Sequence, residues 1–128
     1  MFKKFSRLIF ILSLLAGACS KEQTAPSYPV PLPFPLPAAC DTSAVHYQPD
    51  VKQIIGKNCA YSGCHFPGIG NYDFTLYEVV AERIRSGRFT ERILLQPDNP
   101  LHMPQGFAMD SCELGKLMIW INKGFPNN

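Results

Sequence analysis

The residues with the clearest chemical potential are Cys59, Cys64 and His65, in the stretch CAYSGCH. Two thiols and an imidazole can hold a metal ion, close a disulfide, pair as nucleophile and base, or attach a haem. The usual covalent haem pattern is cysteine, two residues, cysteine, histidine. Here four residues separate the cysteines. A histidine directly behind the second cysteine still suits haem. It places an imidazole on the proximal side of the iron while its neighbour is bonded to the porphyrin edge. The first cysteine then has only to reach the other vinyl group. A four-residue loop does so if it bulges outward, and Gly63 supplies backbone freedom just before Cys64.

The competing chemistries ask for more than the stretch contains. Zinc favours a closed tetrahedron of thiolates and imidazoles, so it needs a fourth ligand, with His46 or Cys40 as candidates. A Cys59–Cys64 disulfide would close a short loop. A thiol catalyst needs a reduced cysteine with a base, and an adjacent histidine is a poor indicator of that. Gly68 and Gly70 do not form a phosphate loop, because no strand precedes them and no lysine follows. They read better as places where the chain passes close to a macrocycle. No Ser/His/Asp set or pair of carboxylates suggests hydrolysis.

The chain has 128 residues, enough for one small domain. It begins with cationic Lys3, Lys4 and Arg7, an apolar run from Leu8 to Leu15, and then small residues. That is the pattern of a secretory signal at residues 1–18, too short in its apolar part to cross a bilayer. The small residues Ala16, Gly17 and Ala18 lead to Cys19, and the segment resembles a bacterial lipobox, whose cysteine carries lipid. Ala16 stands where a leucine is usual. Removing residues 1–18 takes three of the 12 positive side chains and leaves 9 against 10 negative, a net of −1. The remaining chain has no basic patch and gives no case for nucleic acid. The expected location is periplasmic or cell-surface, anchored to a membrane through lipid on Cys19.

Residues 19–39 read as a lipid-anchored, Pro-rich linker. Six of the chain's 12 prolines lie there, with Pro29, Pro31, Pro33, Pro35 and Pro37 at alternate positions. Proline fixes φ and removes a donor, so helix and ladder are excluded. The expectation is a polyproline II spacer reaching at most ~60 Å.

The folded part is expected at residues 40–128, and a domain that small calls for covalent or cofactor staples. Helical spacing is present in QPDVKQIIGKN, through Val51, Ile54 and Ile55. It recurs in LYEVVAERIRSG, through Leu76, Val79, Val80, Arg83 and Ile84, with Asp73 or Thr75 as caps before it and Gly87 as the stop. A short turn, FTERILL, follows. The last helix is DSCELGKLMIWINKG, capped by Asp110 or Ser111, with Glu113 as capping partner and Gly124 at its end. Its apolar face is Leu114, Leu117, Met118 and Ile121. No strand pattern or internal repeat is present. The fold class is all-α: a small domain of about four helices with long loops.

The segment CDTSAVHYQPDVKQIIGKNCAYSGCH, then a helix, then MPQG, then a terminal helix ending WINKGFPN resembles a family of small bacterial cytochrome-c-like lipoproteins. The resemblance covers roughly residues 40–128 and includes a longer-spaced Cys–x4–Cys–His attachment. It implies one covalent haem c on Cys59 and Cys64, iron ligation by His65, and a second, methionine ligand in the loop before the last helix. Met103, followed by Pro104, fits that place. A thioether is a soft, neutral ligand that favours ferrous iron. His102, Met109, His46 or an open position remain alternatives. Neighbours in an extended loop point in opposite directions, so His102 and Met103 cannot both face the iron. The implied function is one-electron transfer to a redox partner protein, without bond-making catalysis. Two other functions stay open: a haem-free, disulfide-stapled surface lipoprotein, and a haem enzyme or sensor with an open distal site.

Five cysteines are an odd number for an exported chain. With Cys19 on lipid and Cys59 and Cys64 on haem, Cys40 and Cys112 are left to form a disulfide. Trp120 is expected in the core. Arg83, Arg85 and Arg88 are expected on a solvated face, with contact to haem propionates or a partner as the alternative.

Overall fold

The computed structural model describes residues 29–69 and 72–128. The expected signal at 1–18, Cys19, the first part of the linker and Gly70 lie outside the described residues. Within them the chain is all-α, with four helices and no strand.

The first helical segment starts as a wide turn over Tyr47–Val51, where Val51 N–H donates to the His46 carbonyl at 3.2 Å. It then becomes α1, Lys52–Asn58. Regular helix begins later than the apolar spacing predicts because Pro49 disfavours helical geometry at the residue before it. Gln48 is accordingly extended, at φ −111° and ψ 128°. Val51, Ile54 and Ile55 are buried as their spacing requires.

Helix α2 is Tyr77–Arg85 and buries Val80, Ala81 and Ile84. Asp73 does not cap it. Its carboxylate accepts from the backbone and hydroxyl of Thr75, a local turn that delivers the chain to the helix. Leu76, expected on the apolar stripe, is 54% exposed because it precedes the helix in extended geometry. Gly87, at φ 74°, turns the chain from α2 into α3, Arg88–Leu94. The expected short turn is thus a helix, held by buried Phe89, Thr90 and Ile93.

Helix α4, Ser111–Asn122, has Asp110 as its N-cap, accepting from Cys112 N–H at 2.9 Å and Glu113 N–H at 3.1 Å. The Glu113 side chain does not return to the cap. It accepts from Lys57 Nζ at 2.7 Å and Asn58 Nδ2 at 3.0 Å, joining α4 to the end of α1. Gly124, at φ 85°, ends the helix, with Phe125 N–H donating to the Trp120 carbonyl at 3.0 Å.

The core forms where α4 meets the first turn and α2. Leu117, Met118, Trp120 and Ile121 are fully buried, and Leu114 only partly. Trp120 stacks on Tyr47 at 5.5 Å, and Tyr47 meets Tyr77 edge-on at 5.1 Å. The polar ends of these rings are satisfied by the C-terminal tail: Trp120 Nε1 donates to the Pro126 carbonyl and Tyr77 Oη to that of Phe125, both at 2.9 Å. Cys40 and Cys112 form a disulfide, their Cα atoms 5.4 Å apart, which fastens the start of the domain to the first turn of α4.

The described part of the Pro-rich segment does not stand free of the domain. Val30, Leu32, Phe34 and Leu36 are half-buried, whereas Pro29, Pro31, Pro33 and Pro35 are exposed. Val30 and Leu32 pack against the core. Val30 exchanges two hydrogen bonds with the Asn122 side chain, both 2.9 Å. Leu36 lies so close to Gly115 that a Cβ there would approach its Cδ2 to 2.2 Å. An extended chain presents alternate residues to opposite faces, so the apolar residues meet α4 while the prolines, which have no N–H to satisfy, meet water.

Candidate functional site

A cavity of about 800 Å³ opens between the CAYSGCH loop, helices α2 and α3, and the loop before α4. Its lining includes Cys59, Cys64 and His65 on one side and Leu101, Met103 and Pro104 on the other. The size lies within the range usual for cofactor sites.

Helix α1 positions the first thiol. Its last turn closes with Cys59 N–H donating to the Ile55 carbonyl at 2.8 Å. The loop then folds back: Cys64 N–H donates to the Tyr61 carbonyl at 3.0 Å and His65 N–H to the Cys59 carbonyl at 3.1 Å. Gly63 sits at φ 90°, a conformation that favours glycine, so the four intervening residues are accommodated as a bulge. Cys59 and Cys64 are both free thiols.

Burial, and to a lesser degree Cys64, pushes the Cys59 thiol up to about 12. At pH 8 only roughly one molecule in ten thousand would carry the thiolate. A thiolate is the reactive form in nucleophilic and exchange chemistry, so Cys59 itself is poorly suited to act as a nucleophile. Iodoacetamide at pH 8 should accordingly label Cys64 well before Cys59 in haem-free protein, as peptide mass spectrometry would show. Equal rates would contradict the buried, protonated state of Cys59.

The His65 ring stacks on Phe74 with centroids 4.2 Å apart and planes 18° from parallel. Its Nδ1 is buried without a hydrogen-bond partner. Burial lowers the His65 pKa; the Tyr72 backbone opposes this by favouring the protonated ring, without completing hydrogen-bond geometry. The ring is therefore held in its neutral form at neutral pH, the form that ligates metals.

The loop before α4 separates the candidates for a second ligand. Met103 lines the cavity, and its N–H donates to the Arg92 carbonyl of α3 at 3.1 Å. His102 is buried elsewhere, with Nδ1 donating to the Leu95 carbonyl at 2.8 Å. The two neighbours do point apart. Met109 packs against the core, and His46 is exposed beside Asp50. Of these four, only Met103 lines the cavity.

The arginines divide. Arg85 is exposed and lies over Phe125 at 5.8 Å, on the solvated face expected for it. Arg83 lines the cavity instead, and Arg88, though exposed as expected, lines it too. Arg83 covers the Tyr72 ring at 4.0 Å, pairs with Glu82, and has a buried Nε without a partner. Arg92, which sequence reasoning missed, also lines the cavity and has a buried, unpartnered Nη1. Its spacing of four from Arg88, one turn on the same helical face, is the signal that would have found it. Among the described lining residues Glu82 is the only anion, so they carry three positive charges against one negative. Trp120 stays in the core, as expected. Gly68 is exposed and outside the lining, so it does not bring the chain close to anything the cavity holds. Among the described residues, no three His, Cys, Asp or Glu side chains come together as a metal site. Nor is any helix among them long and apolar enough to cross a membrane.

No family model matches the chain, and no curated protein or solved structure matches it.

Proposed function

We propose that the protein is a c-type monohaem cytochrome, a one-electron carrier of the small cytochrome-c-like lipoprotein kind. One observation supports this most directly: a single cavity is lined by two free thiols and an imidazole from one heptapeptide and by a thioether from the distant loop before α4. In this reading Cys59 and Cys64 hold the haem covalently, His65 is the proximal iron ligand and Met103 the distal one. The cavity's own features fit the group. Buried guanidinium nitrogens without partners lie at Arg83 and Arg92, where a pair of carboxylates would satisfy them. Apolar Phe74, Phe89, Ile93 and Leu101 supply the walls.

The bound iron would supply the one-electron chemistry, at a potential raised by thioether ligation. The chain's residues do the rest. His65 is held neutral, the arginine wall would neutralise propionates through charge-assisted bonds, and the aromatic and aliphatic walls would cover the macrocycle's apolar faces. We place the chain outside the cytoplasm, with the signal removed, Cys19 lipidated as membrane anchor, and a redox protein as partner.

The test is purification from a strain with haem-attachment machinery. A sharp α band in the reduced-minus-oxidised spectrum, with colour retained by the protein after acid–acetone extraction, is the expected result. A colourless protein with Cys59 joined to Cys64 would overturn the proposal. Met103→Ala should then abolish the weak near-infrared sulfur–iron band and open the iron to carbon monoxide. An unchanged band would assign the distal position to another sulfur.

A further inference from the structure

A histidine that ligates a metal almost always donates its second ring N–H to a carboxylate, a carbonyl or water, and this contact sets the ring's orientation. At His65 this contact is incomplete: Nδ1 is buried, and the Tyr72 backbone acts on the ring without completing hydrogen-bond geometry. A second contact is needed to fix the plane of the imidazole. The ring's one close aromatic neighbour is Phe74, nearly parallel to it at 4.2 Å. Rotation of the imidazole about its own side-chain bond would drive a ring edge into the Phe74 face.

Phe74 is itself well held. It is 8% exposed. Its N–H donates to the His65 carbonyl at 3.0 Å, so backbone and ring are both registered on the same residue. It also meets Phe89 of α3, ring centroids 5.6 Å apart. The Asp73–Thr75 turn fixes the chain around it.

We propose that Phe74 is a positioning residue for the proximal ligand, orienting the His65 imidazole by ring stacking where the backbone contact to its second nitrogen is incomplete. This rests on the assignment of His65 as the iron ligand. It makes the turn before α2, through Phe74, and α3, through Phe89, responsible for ligand geometry as well as for the cavity wall.

The test uses the full chain matured with haem and compares Phe74→Leu, Phe74→Met and Phe74→Tyr by low-temperature electron paramagnetic resonance of the oxidised protein. The g values of a low-spin ferric haem depend on the plane of the axial imidazole, whereas a general loss of packing does not move them in a defined way. Phe74→Leu or Phe74→Met should shift or broaden the largest g value, with a parallel shift in midpoint potential. Phe74→Tyr should restore the wild-type signal. Two folded aliphatic variants with wild-type g values would overturn the proposal. Absence of any low-spin ferric signal in the wild-type protein would instead overturn the haem assignment on which it stands.

Discussion

In a His65→Ala variant the low-spin haem spectrum is expected to collapse, and imidazole added in solution is expected to restore it. The imidazole follows directly on Cys64, and its carbonyl and N–H are both tied into the local loop, the first to Phe74 and the second to Cys59. The backbone should therefore keep its course when the side chain is truncated. What disappears is one neutral ring inside a preformed cavity, beside the flat face of Phe74. Free imidazole has the shape and chemistry to refill that space. Visible spectra with and without imidazole decide the matter. A His65→Ala protein with an unaltered α band would show that the iron is held from elsewhere. A loss that imidazole cannot repair would point to failed haem attachment, which the acid–acetone extract would reveal as free haem.

Replacing Cys40 and Cys112 together with serine is expected to remove ~4 kcal/mol of stability, from the chain-entropy model for a loop of this size. The bridge spans a sequence separation of 72 and so restricts most of the domain in the unfolded state. Domains of this kind hold only about 5–15 kcal/mol in total, so the fraction lost is large. The bridge also joins the residues that follow the proline segment to the first turn of α4. The urea midpoint of the double variant should fall well below that of the oxidised parent, and reduction of the parent should mimic the substitution. Matching midpoints would mean that packing around α4 alone holds this end of the molecule.

Much of this architecture was legible before any coordinates. The burial of Val51, Ile54, Ile55, Val80 and Ile84, and of Leu117, Met118 and Ile121, follows from helical spacing alone. The stops at Gly87 and Gly124 need a positive φ that glycine adopts freely. The disulfide followed from counting cysteines. The convergence of Cys59, Cys64, His65 and Met103 on one cavity was anticipated from a motif and a resemblance. Other features were hidden for physical reasons. Glu113 carries the sequence signature of a local capping partner, yet Lys57 and Asn58, more than fifty residues away, win its carboxylate. Leu76 matches the apolar stripe but falls just outside the helix that would have buried it. Phe74 has no periodic or motif signal, because its importance lies in the ring it touches. The proline segment misled in a different way. Its prolines exclude regular structure, but the valine, leucines and phenylalanine between them form a period-two stripe, and a helix can receive that stripe as well as a sheet can.

That docked stripe changes how far the domain can range. With the proposed anchor at Cys19, at most the ten residues 19–28 link the lipid to Pro29, the neighbour of the docked Val30. Even drawn out completely, that leash measures no more than ~35 Å, against ~60 Å had the whole linker been free. On the proposed reading, the haem domain would be confined to a thin layer above the bilayer, within reach of donors and acceptors seated in the same membrane and out of reach of more distant ones.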